Sequence, residues 1–140
     1  MTKSRKTTSR PPKRTVHILL IEDEPTIIRA ARRGIREQIG DDSMLIIATT
    51  IDEALEELSS NKEFGVIFFD YSLPASPTRK TSIDLIKIAR RAFGNVVWMF
   101  STTSQSDCIE PMLAAGCQTH VSKKMIPWAA KRAYREYLTR

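Results

Sequence analysis

Cysteine is scarce in this chain, with Cys108 and Cys117 the only two among 140 residues. Two cysteines cannot form the several bridges of a small secreted scaffold, and with His17 and His120 they make no metal-ligand spacing. Two reduced thiols in a cytoplasmic protein are the expectation. Glycine is sparse too, at five residues. Neither G-x-G-x-x-G nor a P-loop occurs, which removes the phosphate cradles of nucleotide-binding domains. No run approaches the roughly 18–20 apolar residues needed to cross a bilayer. The polar, basic N-terminus lacks the apolar centre of a secretory signal. Residues 1–14 contain neither an acid nor an aromatic. The missing aromatics remove the stacking element of single-strand binding, so nucleic acid is not the expected partner.

What is present is enough chain for one domain with a real core. The net charge of +6 lies entirely in residues 1–14, which carry Lys3, Arg5, Lys6, Arg10, Lys13 and Arg14. The remainder balances at 16 basic and 16 acidic residues. The first segment has no apolar periodicity and one Pro-Pro step, so residues 1–14 read as a disordered basic tail and 15–140 as the domain. A tail of this kind either solubilises or serves as an arm toward nucleic acid, an anionic membrane or an acidic partner.

From Thr15 onward strand and helix patterns alternate five times. Val16–Ile21, Met44–Ala48, Gly65–Asp70, Asn95–Ser101 and Thr119–Ser122 are continuous apolar runs, the mark of strands buried on both faces of a parallel sheet. Helices are expected over Pro25–Ile39, stopped by Gly40, and after a Thr50–Glu53 capping box. Further helices are expected over Ser82–Phe93, Ser104–Ala115 and Pro127–Leu138. Pro111 should kink the fourth or delay its start. Trp98 is placed in the core, and Trp128 with Met125 on the surface. The last helix is expected to turn Ala130, Ala133, Tyr134, Tyr137 and Leu138 inward. The fold class is α/β, a doubly wound five-stranded parallel sheet.

In such a sheet ligands sit outside the carboxyl ends of the strands. The first run ends at Glu22-Asp23, the third at Asp70, the fourth at Ser101, and the fifth runs into Lys123. Three carboxylates crowded together raise the pKa of at least one unless a cation joins them. Magnesium suits such a site, since it needs only one or two carboxylates plus water and phosphate oxygen. Asp70 is then either a third ligand or also a nucleophile toward phosphorus. Lys123 and Ser101 are placed to meet the charge and oxygens of a phosphoryl group.

The pieces IEDEP (Ile21 to Pro25), FFDYSLP (Phe68 to Pro74), Phe100-Ser101 and GCQTHVSK (Gly116 to Lys123), in this order on a five-fold strand–helix frame, resemble the CheY-like receiver domains of two-component response regulators. The resemblance covers Val16 to Leu138 and implies a flavodoxin-like fold. It implies that Asp70 is the phosphoacceptor and that Glu22, Asp23, Asp70 and the backbone carbonyl of Ser72 hold magnesium. Ser101 takes the switch-hydroxyl position, Lys123 the invariant lysine, and His120 the position of the rotating switch aromatic. The chain departs from the pattern in several places. The loop after Pro74 is about four residues longer, and Ser82 replaces a usual glycine. Thr102 replaces a small residue whose lack of bulk leaves the phosphate accessible, and Lys124 replaces a proline that often follows a cis bond. Here a trans bond or a local rearrangement is expected.

The resemblance implies a single-domain response regulator, phosphorylated by a histidine kinase or histidine phosphotransfer protein. Only 17 residues follow Lys123, so output is expected through another protein, docking where helix four, strand five and helix five meet, through a homodimer, or by relay of the phosphoryl group. Beyond magnesium-dependent self-phosphorylation and self-dephosphorylation no enzyme activity is expected. Two alternatives stand beside this reading. One is an α/β phosphatase that forms an aspartyl phosphate, against which Ser72 occupies the place of its second acid. The other is a nucleic-acid-binding module that uses the basic tail.

Overall fold

A computed structural model describes residues 14–140. Five parallel strands, β1 (Val16–Ile21), β2 (Leu45–Ala48), β3 (Glu63–Phe69), β4 (Trp98–Ser101) and β5 (Thr119–His120), form one sheet in the order β2-β1-β3-β4-β5. The helices between and after them are α1 (Pro25–Ile39), α2 (Ile51–Leu58), α3 (Ser82–Phe93), α4 (Ser106–Ala115) and α5 (Ile126–Leu138). The order reverses between β1 and β3, which opens a crevice at their carboxyl ends.

The sheet divides the core into two. Leu19, Ile21, Ile67, Phe69 and Met99 point toward α2, α3 and α4, where they meet Ala54, Leu85, Ile86 and Met112. Ile18, Leu20, Val66, Phe68 and Phe100 point the other way, onto Ala31 and Ile35 of α1 and Ala130 and Ala133 of α5. Successive strand residues face opposite sides, so strands packed on both faces must be apolar throughout, as these are. Burying a side chain such as Phe68 or Ile67 contributes about 2–3 kcal/mol, and both are fully buried.

Several boundaries differ from the sequence expectation for identifiable reasons. β3 starts two residues earlier, because Val16 and His17 pair with Glu63 and Phe64, and it ends at Phe69. β4 begins only at Trp98. Its predecessor Val97 gives its carbonyl to Gln118 Nε2 at 3.0 Å, and Gln118 Oε1 takes the Met99 N–H at 2.7 Å, so a side-chain amide replaces the ladder there. β5 is short, although the Val121 N–H still reaches the Ser101 carbonyl at 3.0 Å. α4 starts at Ser106 because Thr103 Oγ1 takes the Gln105 N–H at 3.1 Å and holds the preceding turn outside the helix. Lys123–Met125 forms a 3₁₀ turn ahead of α5, and no peptide bond among the described residues is cis.

Of the expected capping box on α2, Thr50 accepts from the Glu53 N–H, but the Glu53 carboxylate turns to Thr49. A complete box, Thr81 with Asp84, starts α3 instead. Trp98 is half-buried rather than core, and Leu138 is exposed, because it lies off the stripe that Ala130, Ala133 and Tyr137 bury. The tail assigned to residues 1–14 lies outside the described residues except for Arg14. Arg14 does not behave as tail: its guanidinium pairs with the Glu63 carboxylate and lies 5.6 Å from the Tyr137 ring centroid. That pairing and the Tyr137 hydroxyl hold the Glu63 carboxyl down to about 2.

Candidate functional site

Each strand fixes the residue that follows it. The Glu22 N–H bonds the Ala48 carbonyl at 3.0 Å, Asp70 N–H the Ile21 carbonyl at 3.1 Å, and Thr102 N–H the Phe69 carbonyl at 2.9 Å. Glu22 and Asp70 are therefore locked side by side past the ends of β1 and β3. Both are buried, at 0% and 3% exposure, while Asp23 is open to solvent. One carboxylate oxygen from each of Glu22, Asp23 and Asp70 lies within 4.8 Å of the others. This is the expected acidic cluster.

Lys123 reaches into it from the 3₁₀ turn. Its Nζ lies 2.9 Å from Glu22 Oε1 and 3.4 Å from Asp70 Oδ2. Asp70 Oδ1 accepts the Tyr71 N–H at 3.0 Å, and Glu22 Oε2 the Glu24 N–H at 3.1 Å. Burial, and then the Glu22 charge, push the Asp70 carboxyl above its ordinary value despite Lys123. Burial alone would lower the Lys123 ammonium, but its bonds to Glu22 and Asp70 outweigh that and raise it. An all-oxygen donor set with two carboxylates sharing one lysine fits a hard divalent cation.

Ser101 is fully buried, and its hydroxyl is bonded to Met112 and His120. Its Oγ donates to Met112 Sδ at 3.3 Å and lies 3.1 Å from His120 Nδ1. Ser101 and His120 are thus already joined, across β4 and β5. The Thr102 side chain is also fully buried, its hydroxyl donating to the Phe69 carbonyl at 3.3 Å.

Two residues in the site were not singled out by sequence for the contacts they make. Ser82 Oγ donates to the Asp70 carbonyl at 2.7 Å and lies 3.2 Å from that of Tyr71, closing the base of the long loop. Gln105 donates from Nε2 to the Ser72 hydroxyl, joining the loops after β3 and β4. The serine was visible as a departure from glycine; nothing local marks the glutamine.

Beside β4 and β5 lies a groove of about 660 Å³, walled by Trp98, Phe100, His120, Met125, Trp128 and Arg132. Phe68, Phe100 and Trp98 stack in series beneath it, at 5.1 and 5.9 Å between centroids. Trp128 and Met125 are half exposed on its rim, as expected. Cys108 and Cys117 are buried and unpaired. No described helix is long and apolar enough to cross a membrane.

No family model matches the chain, and no curated protein matches its sequence. Solved structures do match its fold. A two-component response regulator from Clostridium difficile superposes with a TM-score of 0.67 at 20% identity, over 89% of this chain and 97% of that one. One from Legionella pneumophila gives 0.65 at 21% identity, over 89% and 99%. A response regulator protein from Burkholderia pseudomallei, solved with a phosphorylated aspartic acid, a calcium ion and citrate, gives 0.66 at 18% identity, over 84% and 65%. The chain has the flavodoxin-like fold of response regulator receiver domains.

Proposed function

We propose that the protein is a phosphorylation-controlled switch whose acceptor is Asp70. The observation that carries this reading is the buried Asp70 carboxylate, set between Glu22, Asp23 and the Lys123 ammonium at the carboxyl edge of the sheet. Glu22, Asp23, Asp70 and the Ser72 carbonyl would hold magnesium. The ion supplies charge that lets a carboxylate approach an anionic phosphoryl group. The donor is a phosphohistidine of a kinase or phosphotransfer protein. An Asp70 Oδ–P bond forms as the donor's P–N bond breaks, and the histidine nitrogen keeps the electron pair and takes up a proton. Lys123 then pairs with a phosphoryl oxygen.

The phosphoryl group adds roughly 1.5–2 negative charges. Ser101 turns its hydroxyl toward them, which breaks its bond to His120 and frees the imidazole in the groove wall. The output surface is accordingly the face of α4, β5 and α5, where a downstream protein or a second copy docks. Incubation with acetyl phosphate and magnesium tests the reading. One hydroxylamine-labile phosphoryl group should appear on the parent and none on Asp70→Asn. Undiminished labelling of the variant would overturn it.

A further inference from the structure

The neutrality of the domain hides a segregation that only the fold reveals. α1 and α5, on one face of the sheet, carry seven basic residues and two acidic, a net +5. α2, α3 and α4, on the other face, carry three basic and seven acidic, a net −4. Solubility favours interspersed signs, so it does not call for this sorting.

The basic layer is one continuous surface. α1 and α5 approach so closely that a Cβ on Gly34 would collide with the Pro127 ring. Among the described residues, Arg29, Arg33, Lys124, Lys131, Arg132 and Arg135 have no carboxylate within 4.0 Å. Neither helix carries an acid in its first turn, although the helix dipole favours one there. Arg14, against Glu63 and the Tyr137 ring, brings the chain into the domain beside α5. Lys3, Arg5, Lys6, Arg10 and Lys13 precede it, interleaved with serine and threonine.

The distribution of these charges selects among anionic partners. Protein interfaces concentrate apolar contacts at a charge-depleted centre, a description that fits the groove beside β5, which Arg29, Arg33, Lys131 and Arg135 do not line. Membrane-surface helices turn an apolar face outward, but Ala31 and Ile35 of α1 and Ala130 and Ala133 of α5 are buried. Single-strand binding wants a series of aromatic platforms, and Trp128 is the one exposed aromatic on this layer among the described residues. What remains is a repeating array of phosphates, one charge per about 1.7 Å of duplex. The 15 residues of α1 extend about 22 Å, roughly the rise of six to seven base pairs at 3.4 Å each. We infer that the α1–α5 layer docks the phosphate backbone of a nucleic-acid duplex, without sequence preference and independently of the chemistry at Asp70.

The test is fluorescence anisotropy of the full chain with a labelled duplex of arbitrary sequence between about 50 and 200 mM salt. Log affinity should fall linearly with log salt concentration. Arg29→Gln with Arg33→Gln should flatten the slope by about 2, and Arg135→Gln alone by about 1. Lysine at the same positions should restore it. Glu53→Gln with Glu56→Gln on the opposite layer, and Asp70→Asn, should leave it unchanged. The inference is overturned by an unchanged slope in the glutamine variants, by no duplex binding at about 50 mM salt, or by tighter binding to polyglutamate or phosphatidylserine vesicles than to the duplex.

Discussion

Replacing Lys123 by methionine removes a cation in contact with two buried carboxylates while keeping most of the side chain's volume. The Glu22 and Asp70 side chains are 1% and 4% exposed, and Lys123 is 20% exposed. Breaking such a pair strands an uncompensated buried charge and costs about 3–5 kcal/mol. The partial exposure of Lys123 argues for the lower end. At roughly 3 °C per kcal/mol for a chain of this size, Tm at neutral pH should drop by about 10 °C. The pH dependence has a definite sign. Asp70 already lies above its ordinary value, and without the lysine it is driven higher. A carboxyl raised in the native state binds more protons than in the unfolded state, so its cost grows as pH climbs from about 4. The deficit of Lys123→Met should therefore be full at neutral pH and close as pH falls toward about 4. Millimolar magnesium should narrow it at neutral pH, since Glu22 and Asp70 would also hold the ion. Thermal melts across pH, with and without magnesium, read all three effects. A variant that melts with the parent at neutral pH, or whose deficit is the same in acid, would refute the reasoning.

Further predictions follow from the same geometry. Asp70→Asn removes a buried charge facing Glu22 and should raise Tm at neutral pH, with the gain fading in acid; unchanged melting would contradict the Asp70 shift. The Glu63 carboxyl is held down to about 2, so its contribution is present above its unfolded value and lost as pH falls toward about 2. Arg14→Ala should weaken that acid resistance, whereas deletion of residues 1–13 should not. Gly34→Ala should overpack the α1–α5 crossing and cost about 1–3 kcal/mol in denaturant melts. Beryllofluoride, a phosphoryl mimic, should alter amide exchange between residues 101 and 135; changes confined to α1 and α2 would discount the proposed output face.

The strands and their order of chemistry were legible because each apolar run ends on a polar residue that the sheet places at one edge. Glu22, Asp23, Asp70 and Lys123 share that edge because parallel strands end together. Boundaries failed where side chains replace backbone partners, as Gln118 does ahead of β4. The direction of the Ser101 hydroxyl could not be read, since Met112 and His120 approach it only in the fold. Nothing in the sequence separates Arg14 from the basic tail, because its partner Glu63 is 49 residues away. The charge sorting was invisible for the same kind of reason. A composition sum does not record which helices cover which face.

The most direct test of the central claim is to find where the phosphoryl group goes. The parent, labelled with acetyl phosphate and magnesium and then reduced with borohydride, converts an aspartyl phosphate to homoserine at the labelled position. Peptide mass spectrometry should place homoserine at position 70, dependent on magnesium and diminished in Asp23→Asn. Homoserine at another aspartate, or equal yield without magnesium, would contradict the account.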